Sequence, residues 1–150
     1  MIKITIPLKP ITKKNNQRIV TRRDNRTHKE IPLIIPSETY VKYEKEALKY
    51  IKTAYDGEPI NYRVTVKCLF YRPNRIRCDL TNLLEAIDDV LVKAKVLSDD
   101  NFNIIASHDG SRVLIDKDFT RTEVYIEEYY EEENDKNYEE YYEEGDNEDD

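Results

Sequence analysis

The segment Arg75-Ile76-Arg77-Cys78-Asp79-Leu80-Thr81-Asn82-Leu83-Leu84-Glu85, followed by Ser98-Asp99-Asp100-Asn101, gathers the side chains best suited to chemistry. Carboxylates ligate hard, oxygen-preferring cations, and arginines recognise phosphate. Side by side they point to metal-assisted chemistry on a nucleic-acid backbone. Each acid also has an ordinary reading. Asp79 suits the N-cap of a helix, Glu85 and Asp89 suit a solvated helix face, and Asp99-Asp100 suits a loop before a strand.

The elements that must position these groups follow from the apolar pattern. Over Asp79–Ala94, Leu80, Leu83, Leu84, Ile87, Val90, Leu91 and Ala94 share one helical face, at roughly 100° per residue. Asp79, Asn82, Glu85 and Asp89 form a second stripe, with Asp88 beyond it. A carboxylate at the helix start also suits the helix dipole. An earlier helix is predicted from an N-cap at Ser37 to about Thr53 or Ala54, with Gly57 as its stop. Strands are expected over Met1–Leu8, Asn61–Arg72, Asn101–Ser107, Arg112–Ile115 and Thr122–Glu128, the third and fourth joined by the turn His108-Asp109-Gly110-Ser111. Gln17–Thr21 and Thr27–Ile35 flank an arginine-rich hairpin tip, Arg22–Arg26, and Pro32 and Pro36 limit the regularity of its second arm. Two helices among five or six short strands make an α+β fold, and no Gly-rich phosphate loop is present.

Length and charge narrow the partners. The 150 residues carry a formal charge of -7, and one domain is the economical reading. Residues 127–150 hold 14 acids against the single base Lys136. Removing these from the chain's 24 bases and 31 acids leaves 23 and 17, so the body before the tail is net +6. The expected organisation is a folded domain over residues 1–128 and an acidic, disordered tail over 129–150. Cys68 and Cys78 are too few for a disulfide framework, and with His28 and His108 they lack zinc spacing. Without a signal-peptide pattern or a membrane-length apolar run, the cytoplasm is the default expectation.

At these residues the chain resembles the RusA family of Holliday-junction resolvases, small endonucleases that nick four-way DNA junctions. The shared pattern is a basic run, an Asp-Leu-Asp-Asn-Leu helix start and a later Asp-Asp pair. Here it stands as Arg75-Ile76-Arg77-Cys78-Asp79-Leu80-Thr81-Asn82-Leu83 and Asp99-Asp100, with Pro10 and Asn15-Asn16 matching an N-terminal segment. The likeness covers roughly residues 1–128 in element order. Two departures touch the site: Thr81 stands at the second motif aspartate, and Glu85 stands where the family places a lysine.

The resemblance implies a mixed β-sheet with two main helices in an intertwined homodimer. It also implies Mg²⁺-dependent nicking of Holliday junctions or other branched DNA, with Mn²⁺ as a substitute metal. Asp79 and Asp100 fall on catalytic positions, and Glu85 would replace the missing acid. Asp79, Asp99, Asp100, Glu85 and Asp89 are the expected metal ligands. Lys13, Lys14, Asn15, Asn16, Arg22, Arg23, Arg75 and Arg77, with Arg26, form the expected DNA surface. Two other readings stay open: a non-catalytic DNA-binding protein on the same fold, and an adaptor acting through its acidic tail.

Overall fold

In the computed structural model the site-bearing helix packs on a sheet built around one long central strand. Residues 1–13 and 17–131 are described; Lys14, Asn15, Asn16 and the tail beyond residue 131 lie outside them. Along the chain run β1 (Ile2–Ile6), β2 (Gln17–Arg23), β3 (Glu30–Pro36), α1 (Glu38–Ala54), β4 (Val64–Arg72), α2 (Leu80–Lys93), β5 (Ile105–Ser107), β6 (Arg112–Ile115) and β7 (Arg121–Glu128).

The main sheet has the order β1-β7-β4, with β5 and β6 both pairing β4. β7 runs antiparallel to both its neighbours, while β5 and β6 run parallel to β4, so the sheet is mixed and the fold is α+β. Register fixes the buried face. Ile4 lies opposite Val124, which lies opposite Cys68; Ile126 joins Ile2 to Val66 in the same way. These side chains meet Ala47 and Ile51 of α1 and Leu83, Ile87, Val90 and Leu91 of α2 in one core. The opposite face is polar: the ammonium groups of Lys3 and Lys67 lie 5.4 and 4.7 Å from the Tyr125 ring centroid.

Local chemistry explains the helix boundaries. Ser37 caps α1 by accepting a 3.2 Å hydrogen bond from the Tyr40 N–H, satisfying one of the donors a helix start leaves open. At the far end of α2, Lys95 adopts φ 61°, and the Val96 N–H donates to Leu91 O at 3.0 Å. This is the six-to-one closure usually built on glycine. It turns the chain towards Leu97, whose backbone bridges to Ile60, and on to Asp99 and Asp100.

One expectation is corrected. The strand predicted from Asn101 begins at Ile105, because Asn101 nucleates a turn: its side chain accepts from Asn103 N–H at 2.9 Å and its carbonyl from Ile104 and Ile105. Asparagine offers such local partners in competition with a ladder. The turn at His108–Ser111 joins β5 and β6 as expected, and it carries the chain onward rather than reversing it, since both follow the same edge of β4 in the same direction. Ser111 Oγ fills the gap by accepting the Cys68 N–H at 2.9 Å. Gly110, at φ +82°, has no room for a Cβ, which would stand 2.9 Å from Lys67 Cδ.

The hairpin forms as a separate two-stranded ribbon, but β2 runs through Arg23, so the tip is Asp24–Lys29 and, of Arg22, Arg23 and Arg26, only Arg26 lies in it. Its prolines are tolerated because a ribbon has two free edges. It exposes Ile19 (73%), Ile34 (68%), Ile31 and Leu33 to solvent, with Ile19 directly opposite Ile34. At the other end of the body, Tyr129 N–H donates to Arg63 O (2.9 Å) and the Glu131 carboxylate meets the Arg63 guanidinium at 3.1 Å.

Candidate functional site

Asp79 occupies the N-cap position of α2 with extended backbone, but its carboxylate makes no capping hydrogen bond. It accepts instead from Asn82 Nδ2 at 3.3 Å, one turn along the same stripe. The side chain is therefore exposed and not consumed by the cap. Thr81 and Glu85 are also exposed on the helix. The basic run Arg75–Arg77 approaches Asp79 as an exposed connection between β4 and α2.

The remaining acids gather at the other end of α2. Asp99 Oδ1 accepts the Asp100 N–H at 2.6 Å, and this backbone bond leads the causes that hold Asp99 below the usual carboxylate range. Asp100 is raised instead, first by desolvation and then by its carboxyl hydrogen bond to Asp99 and the charges of Asp99 and Asp89. Asp100 in turn acts on Asp88. Asp88, Asp89, Asp99 and Asp100 thus form one electrostatic neighbourhood in which like charges oppose full ionisation.

Cations balance part of it. Asp89 Oδ2 lies 3.3 Å from Lys93 Nζ and 3.8 Å from Lys13 Nζ, contacts that are ionic rather than well-formed hydrogen bonds. Lys93 also spans to Glu44 at 3.0 Å. Lys13, expected on the DNA surface, is therefore shared with the acid patch. Lys93 had a visible signal, its i,i+4 spacing from Asp89, yet it was not among the expected site residues.

Asp88 was likewise outside the expected set. Its Oδ2 lies 2.8 Å from His108 Nε2, while His108 Nδ1 lies 2.7 Å from Val66 O. Its other oxygen, Oδ1, is buried with no hydrogen-bond partner among the described residues. A carbonyl only accepts, so Nδ1 carries a proton, and the Nε2–Oδ2 contact needs a second one. Burial pushes the Asp88 carboxyl up against the pull of His108. Burial also opposes the charged imidazole, but the Asp88 hydrogen bond and charge outweigh it and raise His108. No sequence signal links these residues, which meet because β5 leads the turn back beside α2.

Asp99 and Asp100 therefore lie in contact, with Asp89 within electrostatic reach of Asp100, while Asp79 stands at the opposite helix end, about 15 Å of axial rise from Asp89. Among the described residues no group of three or more His, Cys, Asp or Glu side chains is placed to hold a metal ion. The donors are nonetheless of the right kind for a hard cation: neighbouring carboxylates whose mutual repulsion a positive charge would relieve. Arg22, Arg23, Arg26, Arg75 and Arg77 are all exposed, available to an anionic partner. Among the described residues no helix is long and apolar enough to cross a membrane.

A family model described as "Endodeoxyribonuclease RusA" matches residues 7–127, which includes both α2 and the Asp99-Asp100 loop. The crossover junction endodeoxyribonuclease RusA of Aquifex aeolicus (strain VF5) is 32% identical over 59 residues, 39% of this chain and 47% of that protein. The aligned stretch thus spans about half the length of that relative. With its family match covering residues 7–127, well over half of its length, the chain belongs to the RusA endodeoxyribonuclease family.

Proposed function

We propose that this protein is a divalent-metal-dependent endonuclease that nicks Holliday junctions or related branched DNA as a homodimer. The observation that carries the reading is a carboxylate patch, Asp89 with Asp99 and Asp100, set in a basic body. Asp99 and Asp100 would hold the cation, with Asp89 beside them. Two carboxylates are enough for Mg²⁺, which keeps several waters and takes substrate phosphate oxygens as further ligands. When bound, such a cation supplies a water of lowered pKa and stabilises charge on the cleaved phosphodiester. The chain's own residues then position the strand: Arg75 and Arg77 contact phosphates, and Arg22, Arg23 and Arg26 extend the contact surface. Asp79, free of capping duty, and Glu85 face the same strand along the α2 stripe.

The dimer reading rests on the ribbon. Ile19 and Ile34 form an exposed cross-strand apolar pair on an arm that the main sheet does not pair, and a second copy would bury it.

A non-catalytic DNA-binding role is favoured by a different observation: Thr81 replaces a motif acid, and no three-carboxylate cage forms among the described residues. One experiment separates the two. Four-way junctions and linear duplex are incubated with protein and Mg²⁺ or chelator, using wild type, Asp79→Asn and Asp100→Asn. Endonuclease function predicts Mg²⁺-dependent junction nicking that falls by at least about 100-fold in Asp100→Asn and by less in Asp79→Asn, which lies outside the cation patch. Junction binding without nicking by wild type would replace it with the binding role.

A further inference from the structure

A cavity of about 430 Å³ opens beside the start of α2, between the Leu8–Thr12 segment, α1 and the end of β4. Its walls carry Lys9, Lys42, Arg72 and Arg77 against one carboxylate, Glu46. Arg72 is the unusual member. It is only 8% exposed, it donates one Nη1 hydrogen bond to Pro10 O at 3.1 Å, and its buried Nε has no hydrogen-bond partner among the described residues. No ion pair with a described carboxylate balances it. A guanidinium does not lose its proton in proteins, so a buried one lacking a counter-anion is costly unless an anion arrives from outside.

Leu8 and Ile11 add an apolar wall to the same cavity, which inorganic phosphate alone would not use. The volume lies within the range of small-molecule sites and accommodates one nucleotide. Arg77 and Cys78 form its rim and lead directly into Asp79. A second concavity, of about 450 Å³, shares Arg72, Arg77 and Cys78 with it, so the basic run is a ridge with hollows on both sides.

We infer that this cavity receives one phosphate-bearing nucleotide of an unpaired or branch-point DNA strand, its phosphate on Arg72, Lys42 and Arg77 and its base or sugar against Leu8 and Ile11. The identity of the anion as DNA rests on the nuclease reading above. The seated nucleotide would lay the strand beyond it past Asp79 and along the α2 stripe towards Asp99 and Asp100, making the cavity a positioning site that favours strands able to release a nucleotide from stacking.

The test uses the full chain in calorimetric titrations with thymidine 5′-monophosphate, thymidine and inorganic phosphate, alongside junction nicking. The mononucleotide should bind at least about tenfold more tightly than either fragment, because it alone uses both walls. Lys42→Glu, an exposed change on α1, should weaken it by about tenfold through charge reversal. Arg72→Met should abolish it; circular dichroism reports whether that variant folds, and Lys42→Glu decides the matter if it does not. Equal binding of phosphate and mononucleotide, which would mark an adventitious ion only, overturns the proposal, as does an unchanged Lys42→Glu. Nicking without nucleotide binding sinks the cavity alone. Nucleotide binding without nicking upholds the cavity and sinks the nuclease reading.

Discussion

Replacing Asp88 by Asn should cost little stability and remove a pH dependence, whereas replacing His108 by Ala should be expensive. His108 Nδ1 is 2.7 Å from the Val66 carbonyl and Nε2 is 2.8 Å from Asp88, so the pair holds one more proton than a neutral imidazole beside a carboxylate. Both folded-state pKa values are raised. The folded protein therefore binds protons more tightly than the unfolded chain at both groups, and stability falls as pH rises. The His108 contribution is fully present below its ordinary value of 6.5 and is lost as pH climbs through the raised value. Asp88 acts in the same direction from 3.8 upward. With Asn at position 88, a neutral imidazole is satisfied: Nδ1–H donates to Val66 O and the amide donates to Nε2. That variant should lose less than about 1 kcal/mol at pH 7 and show no alkaline decline above pH 6.5. His108→Ala strands both Asp88 oxygens. Breaking a fully buried pair costs about 3–5 kcal/mol. Because the two side chains are 25% and 14% exposed, screening brings the expectation to about 2–3 kcal/mol. Urea unfolding followed by circular dichroism at several pH values between 5.5 and 9 measures both effects. A wild-type-like decline in Asp88→Asn, or a His108→Ala loss below about 1 kcal/mol, would refute the shared-proton reasoning.

Lys95→Gly should stabilise by about 0.5–1 kcal/mol, since Lys95 holds φ 61° at the end of α2 and glycine carries no penalty there; a shift in the urea midpoint without a change in slope checks it. Ser37→Ala should destabilise by about 1 kcal/mol through loss of the α1 cap, by the same assay. Ile19→Lys with Ile34→Lys should convert the proposed dimer to a folded monomer, read by light scattering; monomeric wild type refutes the role given to the ribbon. Residues 132–150 carry eleven acids and one base, so deleting them changes the net charge from -7 to +3. The truncated chain should bind DNA more tightly at low salt and converge with the full chain at high salt, and equal affinities at low salt would exclude electrostatic masking.

How much of this was legible depends on how local the determining interaction is. The apolar face of α2, the Ser37 cap and the alternation of β4 are written within a few residues and emerge as expected. The two strand segments on one β4 edge are not, because their pairing is with a strand about forty positions away and nothing local distinguishes a continuing turn from a reversing one. The acid patch is intermediate. Its members were recognised by motif, but their grouping depends on the turn at Lys95, which lacks the glycine that usually announces a left-handed helix end. The meeting of Asp88 with His108 had no local signal at all.

Arg72 is a different case, because its signal was present in the strand pattern. Val64, Val66, Cys68 and Phe70 alternate onto the core side of β4, and two residues further the same parity falls on Arg72. A permanently charged group in an inward position is inconsistent with a purely apolar core. It is tolerated because the core ends there: Pro10 O takes one N–H, while the cavity beside it leaves room for a further partner. The strand that supplies the core thus also delivers an arginine to the hollow beside Asp79, and the same periodicity that stabilises the sheet sets the distance between anion and acid. Shifting that register by one residue would turn Arg72 to the polar face and bury Tyr71 in its place, so fold and candidate site are not separable at this point.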